Sequence, residues 1–286
     1  MTQKTVLALH PAARDDIADL TTRRPLPGQG LDQVDPFLFL NHHGPQVYPP
    51  GNNGLPFGPH PHRGFETVSF ILEGEMAHLD SGGHESVIRA GGVQWMTAGS
   101  GLVHAEISPA AFKQAGGPLE ILQLWVNLPP ALKMTAPRYI GLQARDIPVH
   151  EADDSRARLH LISGQYGDTV GPIDSLTGVF MSTLDLAGGG RIHFDGLAGR
   201  NVFLYVVSGA VRVAGKDIPA WNLATLDLDG DHLEIEAEAD ARLVFGHAAP
   251  IGAPVVSHGP FVMNTVPEIH QAIADYNAGK FGQVRL

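Results

Sequence analysis

Between Glu66 and Ser108 glycine turns cut the chain into pieces of five or six residues, and this punctuation limits the fold more than any other feature. Thr67 to Leu72 ends at Glu73-Gly74-Glu75, and Met76 to Asp80 ends at Ser81-Gly82-Gly83. Glu85 to Arg89 ends at Ala90-Gly91-Gly92, and Gly99 and Gly101 separate Val93 to Thr97 from Val103 to Ser108. Pieces this short cannot make stable helices, but they match the usual length of β-strands joined by tight turns. The whole chain follows suit, since 34 glycines and 22 prolines make up about a fifth of its 286 residues. An all-β protein is expected.

Thr5 to Leu9 reads as a strand, Ala12 to Leu31 as a turn-rich stretch, and Asp35 to Asn41 as a buried strand. His42 and His43 then read as polar loop residues on the way to Pro49-Pro50-Gly51. Leu119 to Asn127 is a further strand. Its alternation sets Glu120, Leu122, Leu124 and Val126 on one face and Ile121, Gln123, Trp125 and Asn127 on the other, with Trp125 read as core. Pro129-Pro130 closes a first domain, 1–130, and Ala131 to Glu151 reads as a crossover linker into a second, 131–286. Seven strands are expected in that second half: Leu159 to Ser163, Val179 to Leu186, Val202 to Ser208, Ala210 to Val213, Leu223 to Leu228, Leu233 to Ala237 and Leu243 to His247. One C-terminal helix is expected over Pro267 to Ala278, where Ile269, Ala272, Ile273 and Tyr276 recur at helical spacing and Gly279 stands at the end.

Chemistry is concentrated in two short motifs. Alternate strand residues share a face, so His60 and His62 of His60-Pro61-His62 point one way, as do His104 and Glu106 of His104-Ala105-Glu106. Two such strands side by side would gather imidazole nitrogens and a carboxylate into a site for iron, copper, nickel, manganese or zinc. By the same alternation Glu66 is a fifth candidate. A faint repeat aligns Gly74 with Gly209, which puts Asp195, Leu197 and Asn201 where His60, His62 and Glu66 stand. The second half is therefore expected to keep the architecture without the metal. His232-Leu233-Glu234 is read as an ordinary strand with its polar face in water.

The pattern G-x5-H-x-H-x3-E-x6-G is the first cupin motif, and it runs here through Gly54, His60, His62 and Glu66, with Gly74 one residue late. The run from His60 to Glu106 resembles the pirin family more specifically, as does the tail Gly259-Pro260-Phe261-Val262-Met263-Asn264-Thr265. The resemblance covers nearly the whole chain and is strongest from Asp35 to Trp125. It implies a bicupin: two jelly-roll-type β-barrels and a short C-terminal helix. It also implies His60, His62, His104 and Glu106 as metal ligands, whereas cupins in general use the glutamate that corresponds to Glu66. One iron per chain is implied, in the N-terminal barrel, with other divalent transition metals acceptable. Four protein ligands on an octahedral ion leave two positions open, which suits catalysis. The implied activity is that of a quercetin 2,3-dioxygenase-type oxidoreductase acting on a flavonol, with Glu106 taking the proton of the substrate hydroxyl. The alternative is a non-enzymatic, iron-dependent redox sensor that binds a transcription factor or a metabolic enzyme. A metal-dependent isomerase is a third class.

Charge and cysteine content bound the partners. A formal net charge of −11 offers no general surface for phosphate backbones, so no direct nucleic-acid partner is expected. The chain has no cysteine, which excludes disulfides and thiolate ligands. The N-terminus lacks a signal-peptide core, and no run approaches the ~20 apolar residues of a membrane helix. A cytoplasmic monomer is expected.

Overall fold

The computed structural model describes residues 2–285. It is mostly β, as expected, and jelly-roll-like in each half, but the sheets do not close into barrels. Two compact units are each assembled from separate stretches of chain.

One unit comprises Arg14–Arg23, Phe39–Arg145 and Ile251–Leu286. Its larger sheet has seven strands, in the order Arg138–Leu142, Val93–Thr97, Phe65–Glu73, Gly117–Asn127, Phe37–Tyr48, Thr22–Leu26 and Ala13–Arg14. Its smaller sheet runs Phe57–His62, Leu102–Ile107, Glu75–Asp80, Glu85–Arg89. Phe65–Glu73 lies inside the larger sheet, which is why residues 65–71 are all buried rather than alternating. Ile71, Leu119 and Ile121 of the larger sheet pack with Met76 and Ile88 of the smaller one, so the core lies between the two.

The other unit comprises Met1–Ala13, Arg24–Leu38 and Asp146–Pro250. It also pairs a seven-stranded sheet with a four-stranded one. Its centre is apolar: Phe194 and Phe245 stack at 4.1 Å, and both rings lie within 5.9 Å of Phe180.

The expected division at 130/131 differs from this arrangement. Val6–Pro11 pairs with Asn222–Leu226 in the second unit's sheet, while the C-terminal helix belongs to the unit that holds residues 39–145. The reason is packing. Ile269 and Ala272 of the helix share an apolar cluster with Val103, Phe261 and Phe281. The helix itself, Val266–Asn277, starts with a capping box between Thr265 and Glu268. The presumed linker 131–151 also carries sheet structure. Arg138–Leu142 pairs with Val93–Thr97, and Val149–Ala152 pairs with Ala157–Ser163. No helix among the described residues is long and apolar enough to cross a membrane.

Candidate metal centre

The strands Phe57–His62 and Leu102–Ile107 run antiparallel, and their register sets His60 directly opposite His104. His62 follows two residues on, on the same face. The three rings form a tight triangle, with centroids 4.4 Å apart for His60 and His104, 4.8 Å for His60 and His62, and 4.9 Å for His62 and His104. One nitrogen from each ring falls within 4.8 Å of the others.

Hydrogen bonds sort the nitrogens. His60 Nδ1 lies 2.7 Å from the Gly58 carbonyl and His62 Nδ1 lies 3.4 Å from the Pro260 carbonyl. A carbonyl only accepts, so each Nδ1 carries a proton and Nε2 is the nitrogen left for a ligand. Both nitrogens of His104 are buried without a hydrogen-bond partner among the described residues. Burial, with the neighbouring His60 ring second, lowers His62 to about 3. Burial first, then His62, His60 and His78, holds His104 well below the usual imidazole value. Both are therefore neutral, the form that binds metal. An unsatisfied buried imidazole is costly in a fold that has no use for it. Three converging imidazole nitrogens would answer that cost by sharing an ion, so the residues fit a transition metal.

Glu106 is not part of the group whose ligand atoms all lie within 4.8 Å of one another. The pairing of the two strands slips between His104 and Glu106, where the strand of His60 carries one extra residue, while His104 and Glu106 stay in regular register with Asp80 and His78 on their other side. Three side chains from the larger sheet hold the Glu106 carboxylate. Ser69 Oγ donates to Oε1 at 2.9 Å, Gln94 Nε2 donates to the same oxygen, and Gln123 Nε2 donates to Oε2 at 2.5 Å. Ser69 pairs in register with both Gln94 and Gln123, so the donors form one row across three strands.

Glu66 is placed elsewhere. Gly64 at φ +89° breaks the strand after His62, and Glu66 belongs to the larger sheet, where Thr97 Oγ1 donates to it at 2.6 Å. Burial raises its carboxyl above the usual range. His42 and His43 are not loop residues. Phe37–Tyr48 continues through both, His42 Nε2 meets Glu120 Oε1 at 2.9 Å, and His43 Nδ1 meets Thr22 Oγ1 at 2.9 Å. Trp125 is not core, as its sequence setting suggested, but half-buried. Its ring packs on Phe65 at 4.4 Å and Phe39 at 4.6 Å, and its edge meets His62 at 5.5 Å. In the second unit Leu197 is fully buried among apolar side chains, and Glu234 pairs with His193 at 3.0 Å on a largely exposed face.

Comparisons with known proteins show the family and the fold. Residues 19–126 match the family model Pirin, and residues 181–282 match the Pirin C-terminal cupin domain. The chain is 40% identical over 269 residues to a pirin-like protein of Caulobacter vibrioides, covering 93% of this chain and 94% of that one. The crystal structure of a quercetin 2,3-dioxygenase from Acinetobacter baumannii superposes with a TM-score of 0.92 at 34% identity, covering 99% of this chain and all of that one. The Escherichia coli bacterial pirin YhhW, solved in complex with nickel(II), shares the fold at 22% identity with a TM-score of 0.68, covering 85% of this chain and 99% of that one.

Proposed function

The chain belongs to the pirin family, and from that premise we propose that it is a metal-dependent oxygenase of small planar aromatic substrates, with flavonols such as quercetin as the substrate class. The observation that carries this reading is the buried imidazole triangle, above all His104 with neither nitrogen partnered. His60, His62 and His104 would hold the ion through neutral nitrogens, with Glu106 as the fourth ligand. Iron is the metal of this reading. A bound ion of this kind supplies Lewis acidity and one-electron chemistry with dioxygen.

The protein's own residues do the rest. Glu106 takes the proton of the substrate hydroxyl, and Ser69, Gln94 and Gln123 hold its carboxylate in place for the transfer. Trp125, backed by Phe39 and Phe65, offers an aromatic surface beside His62 for a flat ring system. Burial of His62 and His104 keeps bulk water from the reacting groups.

The test is metal analysis of the purified protein with oxygen uptake on a small flavonol panel. Consumption of quercetin with matching oxygen uptake, absent under anaerobic conditions, supports the reading. Iron-replete protein that consumes neither quercetin nor related flavonols overturns it. The site then belongs to a redox sensor, whose test is partner capture with the iron oxidised and reduced.

A further inference from the structure

His60 and His62 enter the same triangle but are steadied from different parts of the chain. His60 Nδ1 bonds to the Gly58 carbonyl, two residues back in its own strand. The acceptor for His62 Nδ1 is the Pro260 carbonyl, 198 residues further on. That bond is long, at 3.4 Å, so the ring depends on how firmly Pro260 is held.

Much of the surrounding structure serves to hold it. The Arg63 amide donates to the Pro260 carbonyl at 3.3 Å, and the Val262 amide donates to the Arg63 carbonyl at 3.0 Å. Lys133, only 1% exposed, donates to the carbonyls of Gly64 at 2.8 Å and Val262 at 2.9 Å, and to Asn127 Oδ1 at 2.8 Å. The Arg63 guanidinium donates through Nε to the Ser100 carbonyl and through NH1 to Asp275 Oδ2 on the C-terminal helix, both at 2.8 Å. Lys280 and Gln271 fix the other oxygen of Asp275 at 2.7 and 2.9 Å. Gly64 makes the approach possible, because a Cβ there would stand 2.0 Å from the Val262 carbonyl oxygen.

We propose that the C-terminal segment is a positioning element of the metal site. The Pro260 carbonyl, held by Lys133 and by the Arg63–Asp275 pair, fixes His62 as the Nδ1–H tautomer and leaves Nε2 to bind the ion. Groups that orient a metal-ligating imidazole through its other nitrogen act in this way, and losing one lowers metal affinity by about 10- to 100-fold. The consequence for metal rests on reading the triangle as a metal site, but the tautomer is a property of the metal-free protein.

The experiment has two arms at neutral pH. Nitrogen-15 NMR on metal-free protein reads the His62 tautomer, assigned by difference from His62→Gln. Chelator competition reads nickel(II) affinity. In the wild type, His62 is expected to show a single Nδ1–H tautomer. In Asp275→Asn it is expected to show a mixture of the two, with nickel(II) bound about 10- to 100-fold more weakly. Arg63→Lys keeps the cation but loses the fork, and serves as a second variant should Asp275→Asn fail to fold. Thr265→Ala removes the cap of the same helix without touching Arg63, so general loosening of the helix is expected to leave tautomer and affinity unchanged. A wild-type His62 protonated on Nε2 overturns the proposal. So does a folded Asp275→Asn or Arg63→Lys protein with wild-type tautomer and affinity, or a Thr265→Ala protein that changes both as strongly. If wild type binds no nickel(II) or iron, the oxygenase reading fails, and the tautomer arm still decides whether the tail sets the ring.

Discussion

Gln123 donates to Glu106 Oε2 at 2.5 Å, while Ser69 and Gln94 serve the other oxygen of the same carboxylate. A carboxylate held on both oxygens is a positioned base rather than a mobile one. Gln123→Leu removes one donor without touching an imidazole. Iron content is expected to stay close to that of wild type while turnover per iron falls by about 10- to 100-fold. Glu106→Gln removes the base itself, and a loss of at least about 100-fold per iron is expected. Metal analysis and an oxygen electrode on the same samples check both.

The metal-free protein should be acid-sensitive in a defined window. His62 is lowered from 6.5 to about 3 in the fold, so the unfolded chain binds a proton there that the folded chain refuses. The stability this represents is complete above 6.5 and is lost as pH falls from 6.5 towards 3. At 1.36 kcal/mol per pH unit the loss approaches about 5 kcal/mol. Urea unfolding of chelator-treated protein at successive pH values measures it. His62→Asn should remove that share and make the curve shallower over the window, with the lowered His104 still contributing, and abolish metal binding.

Glu66→Gln tests the carboxylate that the general cupin pattern would choose. Its folded value is raised by burial, so the stability it brings is present below the usual 4.5 and is lost as pH rises through the raised value. The amide has no such loss, and the variant is expected to gain stability over wild type as pH increases while keeping its metal. Paired melting curves and metal analysis decide the matter. A Glu66→Gln protein without metal, beside a Glu106→Gln protein that retains it, would show that the chain uses the general cupin ligand set.

Phe245→Ala opens the apolar centre of the second unit, where Phe245 is 0% exposed. A cost of about 3–5 kcal/mol is expected, read by denaturant unfolding. Metal bound per folded chain should not change.

The sequence exposed what depends on local pattern. Glycine turns marked the strands, two H-x-H and H-x-E motifs marked the triangle, and helical spacing with Pro267 and Gly279 marked the helix. It hid what depends on register between strands. Ser69, Gln94 and Gln123 are single polar residues within apolar runs, and only the pairing of three strands shows them to be one row. Glu66 misled for the opposite reason: alternation holds only within one strand, and Gly64 ends the strand of His60 and His62. His42 and His43 were masked by the prolines and glycine that follow, although the strand runs to Tyr48. Pro137 and Pro148 disguised Arg138–Leu142 as linker in the same way.

The interleaving of the two units sets a timetable for biosynthesis. A ribosome making about 5–20 residues per second delivers residue 145 well before residues 251–285. During that interval the strands bearing His60, His62 and His104 can pair, but Arg63 and Lys133 still lack their C-terminal partners. The nascent sandwich must wait with Val103 uncovered, because Phe261, Ile269 and Phe281 arrive last. Contacts this distant in sequence make for slow final assembly. Metal offered to the nascent chain would meet an unfinished pocket, whereas metal offered after release would meet a finished one.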